Sequence, residues 1–138
     1  MLPAKIIIYV VLAVVPAFAA PAVTMYTCRN TAGNFQINAA AAEANIHAAP
    51  LTAGKSGYPH QFTNQGGIRF PNSKCNNLAA GTILLEFPVF QDGHLYAWNE
   101  KPKPNPGPAR AIYTNPSKDF CGVVAHTTGN QGPLELCT

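Results

Sequence analysis

Four cysteines, Cys28, Cys75, Cys121 and Cys137, constrain this chain more than any other feature. Their weight depends on the compartment, and the N-terminus speaks to that. Lys5 is followed by an apolar run from Ile6 to Val15, then by small residues around Ala17-Phe18-Ala19. The run is too short for a hydrocarbon core that takes about 20 residues, so residues 1–19 read as a secretory signal peptide and residues 20–138 as one exported domain. In an oxidising compartment an even cysteine count implies two disulfides, and a small domain needs such staples. Spacing alone leaves all three pairings open. A zinc site is the rival; no C-x-x-C pair exists and His126 is badly spaced from Cys121, so no metal is expected.

Charge is scarce. Only 11% of the 138 residues are Asp, Glu, Lys or Arg, and the formal net charge is +3, one unit of which leaves with Lys5. So mild a balance permits an anionic partner but is not the dense basic patch of a duplex-DNA binder. Mean hydropathy near zero argues against a multi-span membrane protein.

Asn38 is a good N-cap, and Ala39 to Ala49 follows as an alanine-rich helix that Pro50 ends. Phe35 and Ile37 alternate with polar residues, as in a brief strand or a helix entry. Beyond Pro50, glycines punctuate short apolar runs. Strands are expected at 82–87, 95–98, 109–113 and 120–126, with a hairpin turn at Gln91-Asp92-Gly93-His94. Lys101-Pro102-Lys103-Pro104-Asn105-Pro106 reads as an exposed loop with solvated lysines, because alternate prolines cannot feed a ladder. One helix followed by strands is the α+β order: a helix packed on a twisted antiparallel sheet.

Glu86, Arg110 and His126 fall inside three of the predicted strands, and His60 follows Tyr58-Pro59. A carboxylate and an imidazole can serve as base and acid on two sides of a reacting centre, and a guanidinium can neutralise phosphate oxygens. No Gly-rich phosphate loop or G-x-S-x-G elbow accompanies them, so neither a cofactor nor a serine nucleophile is expected.

Those residues lie in Tyr58-Pro59-His60-Gln61-Phe62-Thr63-Asn64, Leu85-Glu86-Phe87-Pro88-Val89, Arg110-Ala111-Ile112-Tyr113 and Phe120-Cys121-Gly122-Val123-Val124-Ala125-His126-Thr127, with a terminal Cys137. In this order the motifs resemble the secreted fungal ribonucleases of the N1/T1/U2 group, over roughly residues 26–138. The resemblance implies the microbial ribonuclease fold and the pairs Cys28–Cys137 and Cys75–Cys121. It implies Glu86 as general base, His60 as its assistant, His126 as general acid, Arg110 as stabiliser of the transition state and Tyr58 as a phosphate contact. It implies a monomer that needs no cofactor. Such an enzyme cuts single-stranded RNA through a 2′,3′-cyclic phosphate to a 3′-phosphate, and DNA, lacking the 2′-hydroxyl, is not cut.

The base-reading segment departs from the family. Phe62 stands where the group has a stacking tyrosine, and Thr63, Asn64 and Gln65 follow as substrate contacts, with Leu134 across the site. The acidic residue expected of a guanine reader is missing, since no Asp or Glu occurs between Glu43 and Glu86. A site that loses a partner for a base edge loses discrimination, so the preference for purines is expected to be relaxed for guanine. Arg69 and Lys74 lie in a long connection read as a solvated loop held by Cys75. Two other readings compete. A ribonuclease-like effector, weak or inactive, that binds RNA or a host protein would share the Tyr26-Thr27-Cys28 start, but such proteins typically lack part of the catalytic set. A ribotoxin would carry long lysine-rich loops and a strongly basic charge, which this chain lacks.

Overall fold

A computed structural model describes residues 3–12 and 24–138. The small residues at 17–19, where the sequence suggests cleavage, lie outside the described residues. Ile6 to Leu12 are all at least 67% exposed and add nothing to the core.

The domain begins with a short antiparallel pair, β1 (Met25–Cys28) and β2 (Phe35–Asn38). The lead into Cys28, which sequence leaves without structure, is therefore a strand. Helix α1 (Ala39–Ala48) follows directly. The Asn38 side chain accepts from Ala41 N at 2.9 Å, satisfying one of the free amides of the first turn. At the other end the Lys118 ammonium donates to the carbonyls of His47 and Ala49, which have no partner within the helix. Ala42, Asn45 and Ile46 form the buried face.

A five-stranded antiparallel sheet makes up the rest, in the order β3 (His60–Gln61), β4 (Ile83–Pro88), β5 (Ala109–Asn115), β6 (Phe120–Thr128) and β7 (Gln131–Leu136). Strand alternation sends Leu85, Phe87, Ala111, Tyr113, Val123 and Ala125 to the helix side, where they close the main core with Ile37, Ile46 and Tyr96. Burying each large side chain there contributes about 1.5–3 kcal/mol. The opposite residues, Leu84, Ile112 and Val124, meet Phe62, Phe70 and Cys75 of the loop that crosses the second face.

One irregularity makes that arrangement possible. Ile112 pairs with Gly122 and Tyr113 with Phe120, so Cys121 is skipped. Gly122 takes φ 147°, which a side chain disfavours. The bulge sends Phe120 to the helix side and Cys121 to the loop side, where it is bonded to Cys75. Cys28 is bonded to Cys137, tying β1 to the end of the chain.

Two expectations fail. Residues 95–98 are not a strand, although the turn before them forms. Both long edges of β4 are already taken by β3 and β5, and Tyr96 is held instead by its side chain, buried against Phe87 and Tyr58 with its hydroxyl donating to Pro104 O at 2.7 Å. Strand β7, in a segment broken by Gly132 and Pro133, was not foreseen; as an edge strand it tolerates the proline.

Candidate active site

Glu86, Arg110 and His126 stand on adjacent strands β4, β5 and β6. The register sets Glu86 opposite Ile112 and Arg110 opposite Val124, so all three side chains leave by the face away from the helix. His60 pairs with Glu86 across β3 and β4. The sheet thus gathers, on one face, residues that are far apart in the chain.

His60 Nε2 lies 3.0 Å from Glu86 Oε1, and His60 Nδ1 lies 3.3 Å from Gln61 O. Both ring nitrogens face acceptors, an arrangement that suits the charged imidazolium. The Glu86 hydrogen bond therefore raises the His60 pKa above its ordinary 6.5, outweighing the opposing effect of partial burial. The His60 ring stacks on Tyr58 at 4.6 Å between centroids.

Arg110 stands on β5, between the strands of Glu86 and His126, and is only 4% exposed. One terminal nitrogen, Nη1, donates to the carbonyls of Pro106, Gly107 and Ala109 at 3.1, 2.7 and 2.9 Å. The other, Nη2, donates to the Tyr58 hydroxyl oxygen at 3.3 Å. The buried Nε has no partner within the protein. A guanidinium held this way is fixed in orientation and retains unspent donors for an anion.

His126 stands on the opposite wall. Its Nδ1 lies 2.8 Å from Gly132 O. A carbonyl can only accept, so Nδ1 carries hydrogen and Nε2 is the nitrogen left for proton exchange. Between the walls lies a cleft of about 400 Å³, lined by His60, Glu86 and His126 and, on its far side, by Phe62 to Gln65 and Leu134. All five residues that sequence assigns to substrate binding therefore border one space.

The surroundings of two of them bear on how they can act. Phe62 is 8% exposed and packs edge-on against Phe70, so its ring is core and offers no whole face to a stacked base. The Asn64 amide is spent inside the loop, donating to Ile68 O and accepting from Ile68 N, both at 2.8 Å, while its backbone sits at φ 52°. Its side chain shapes the loop that borders the cleft.

Other parts of the site escape sequence reasoning. Lys103, read as solvated, holds its ammonium 5.3 Å from the centre of the Tyr58 ring. Ile68, Pro133 and Gly132 complete the cleft. The alternating Lys-Pro pattern signals an exposed loop, but nothing local says which ring it reaches. Lys74 is paired with Asp119 at 3.5 Å, in keeping with a structural role for its loop. Among the described residues, no group of three or more His, Cys, Asp or Glu is placed to hold a metal ion.

A family model described as ribonuclease matches residues 23–138. The chain is 41% identical to ribonuclease alpha-sarcin of Aspergillus giganteus, in an alignment that covers 100% of this chain and 99% of the relative. That alignment runs to 177 positions against the 138 residues here, so the relative carries segments this chain lacks. Guanyl-specific ribonuclease C2 of Aspergillus clavatus is 29% identical over 90% of this chain and 89% of its own. Among solved structures, the Aspergillus ribotoxin restrictocin superposes with a TM-score of 0.74 at 44% identity, over 83% of this chain and 99% of that one. Restrictocin in complex with a 29-mer sarcin/ricin domain RNA analog gives 0.71.

Proposed function

The chain belongs to the fungal ribonuclease family, and on that premise we propose that it is a secreted endoribonuclease that cleaves single-stranded RNA by intramolecular transesterification. The observation that carries this reading is one cleft bordered by the Glu86–His60 pair and by His126, with the Arg110 guanidinium on the strand between theirs.

The Glu86 carboxylate takes the proton of the ribose 2′-hydroxyl, and the 2′-oxygen forms a bond to phosphorus. The P–O5′ bond breaks, and His126 Nε2 gives its proton to the departing oxygen. The His60 ring, 3.0 Å from the Glu86 carboxylate, holds that carboxylate in place until it acts. Negative charge building on the phosphate oxygens meets the free donors of Arg110. Because Arg110 donates to the Tyr58 oxygen, the Tyr58 hydroxyl proton is left for the same phosphate. Hydrolysis of the resulting 2′,3′-cyclic phosphate reverses the two proton transfers and yields a 3′-phosphate. No step needs a metal or cofactor, and DNA offers no 2′-nucleophile. The enzyme acts as a monomer outside the cell, after loss of residues 1–19.

Purine-preferring cleavage with relaxed guanine selectivity follows from the 62–65 segment. It brings backbone groups and Gln65 to the cleft but no carboxylate to accept from a guanine edge.

A ribotoxin-like preference for one structured ribosomal RNA loop is the second reading. The likeness to alpha-sarcin and restrictocin favours it, against the mild charge. RNA degradation with EDTA present decides activity: wild type is expected to cut, and Glu86→Ala and His126→Ala to lose most of the rate. Full activity in His126→Ala overturns the acid assignment, and an inert wild type points to an RNA- or protein-binding effector. Intact ribosomes separate the two enzymatic readings, one discrete fragment against general degradation.

A further inference from the structure

The turn that orients His126 is pinned by a side chain from the other end of the chain. Asn30, in the connection between β1 and β2, donates through Nδ2 to His126 O and to Gly129 O, both at 2.8 Å. Its Oδ1 accepts from Gly129 N at 3.2 Å and from Ala32 N at 2.9 Å. Two donors and two lone pairs are the whole capacity of a carboxamide, and all four are used. Thr31 N adds a bond to Thr127 O at 2.8 Å. The Cys28–Cys137 bridge anchors this connection two residues away.

The consequence reaches the imidazole. His126 Nδ1 is held by Gly132 O, and Gly132 lies in β7 just past the β6–β7 turn, whose Gly129 is gripped by Asn30 at both its N–H and its C=O. The grip on His126 O fixes the backbone of the same residue. The ring direction is thus set from two sides by one amide that lines no part of the cleft.

We propose that Asn30 is a positioning residue for proton transfer to the leaving 5′-oxygen, acting through the His126 turn. The proposal rests on His126 being the general acid, and the leaving group separates the two claims. A purine dinucleoside phosphate expels an alkoxide, which needs the proton. The matching nucleoside 3′-(4-nitrophenyl phosphate) expels a phenolate, which leaves without one. Asn30→Ala and the near-isosteric Asn30→Asp, which loses both Nδ2 donors, are expected to lower kcat on the dinucleotide about ten- to hundred-fold. KM should stay near wild type, as should turnover of the aryl ester. Asn30→Asp carries the test if Asn30→Ala does not fold. An equal fall on both substrates, or none on the dinucleotide, overturns the role of Asn30. His126→Ala run in parallel tests the premise: if it falls equally on both substrates, His126 is not the acid, whatever Asn30 does.

Discussion

His60 and Glu86 are opposed residues on neighbouring strands, and their side chains meet at 3.0 Å. The pair holds an imidazole, its pKa raised by the contact, against a carboxylate that is largely shielded from water. In the proposed reaction one partner is the base and the other holds it in place. Removing the carboxylate therefore changes the histidine too.

Glu86→Gln is expected to reduce turnover about 10²- to 10⁴-fold, the usual worth of a positioned base. The residual rate should pass to His60. Without Glu86 its pKa falls back toward 6.5, so neutral imidazole becomes available as a base. The acidic limb of the pH–rate profile should then lie near that value, and Glu86→Gln/His60→Gln should abolish the residue. A profile with no imidazole limb contradicts the exchange of roles.

Stability should follow the same pair. The folded His60 binds its proton more tightly than the unfolded one, for which 6.5 is the reference. The stabilisation is complete below that pH and is lost as pH rises through the folded value. Urea midpoints measured from pH 6 upward should fall through this window, and His60→Gln should flatten that part of the curve. The effect is small, since the His60 side chain is 47% exposed and solvent screens the pair.

Arg110 serves the fold and the site at once. Arg110→Ala takes the side-chain donor from the carbonyls of Pro106 and Gly107, while Ala109 O still accepts from Val89 N, and a loss of about 3 kcal/mol is expected in denaturant titrations. Arg110→Lys restores the charge but not the planar fork. It should recover most of the stability while activity stays about 10²-fold down. Recovery of both together would mean that charge alone suffices.

Gln65 borders the cleft in the stretch that has no acidic residue. Gln65→Glu supplies an acceptor for a guanine edge. The ratio of kcat/KM for guanosine over adenosine dinucleotides is expected to rise about tenfold, the scale of one hydrogen bond to a charged group. A guanine-only pattern in the wild-type protein would remove the basis for this variant.

Much of the site is legible before folding because charge is so rare: Glu86, Arg110 and His126 stand out in apolar strands. Their roles come from a resemblance, but their common face follows from strand alternation. Lys103 and Asn30 are not legible, since each acts on a residue distant in the chain. The packing of Phe62 against Phe70 is not legible for a related reason. An aromatic beside a cleft has the same local signature whether it faces the cleft or the core.

The sequence by itself determined the α+β order, the α1 start at Asn38, the strands that carry the catalytic candidates and the presence of two disulfides. These rest on periodicity, capping and cysteine count, which are local or compositional. Only the tertiary structure decided that β1 and β7 are strands and that residues 95–98 are not. It also decided that Arg110 spends one nitrogen on carbonyls and that Asn30 grips the His126 turn. Hydrogen bonds join residues as far apart in the chain as Thr27 and Thr138. Which donor meets which acceptor is settled when the sheet closes, because a buried polar group must take the partner the packing brings to it.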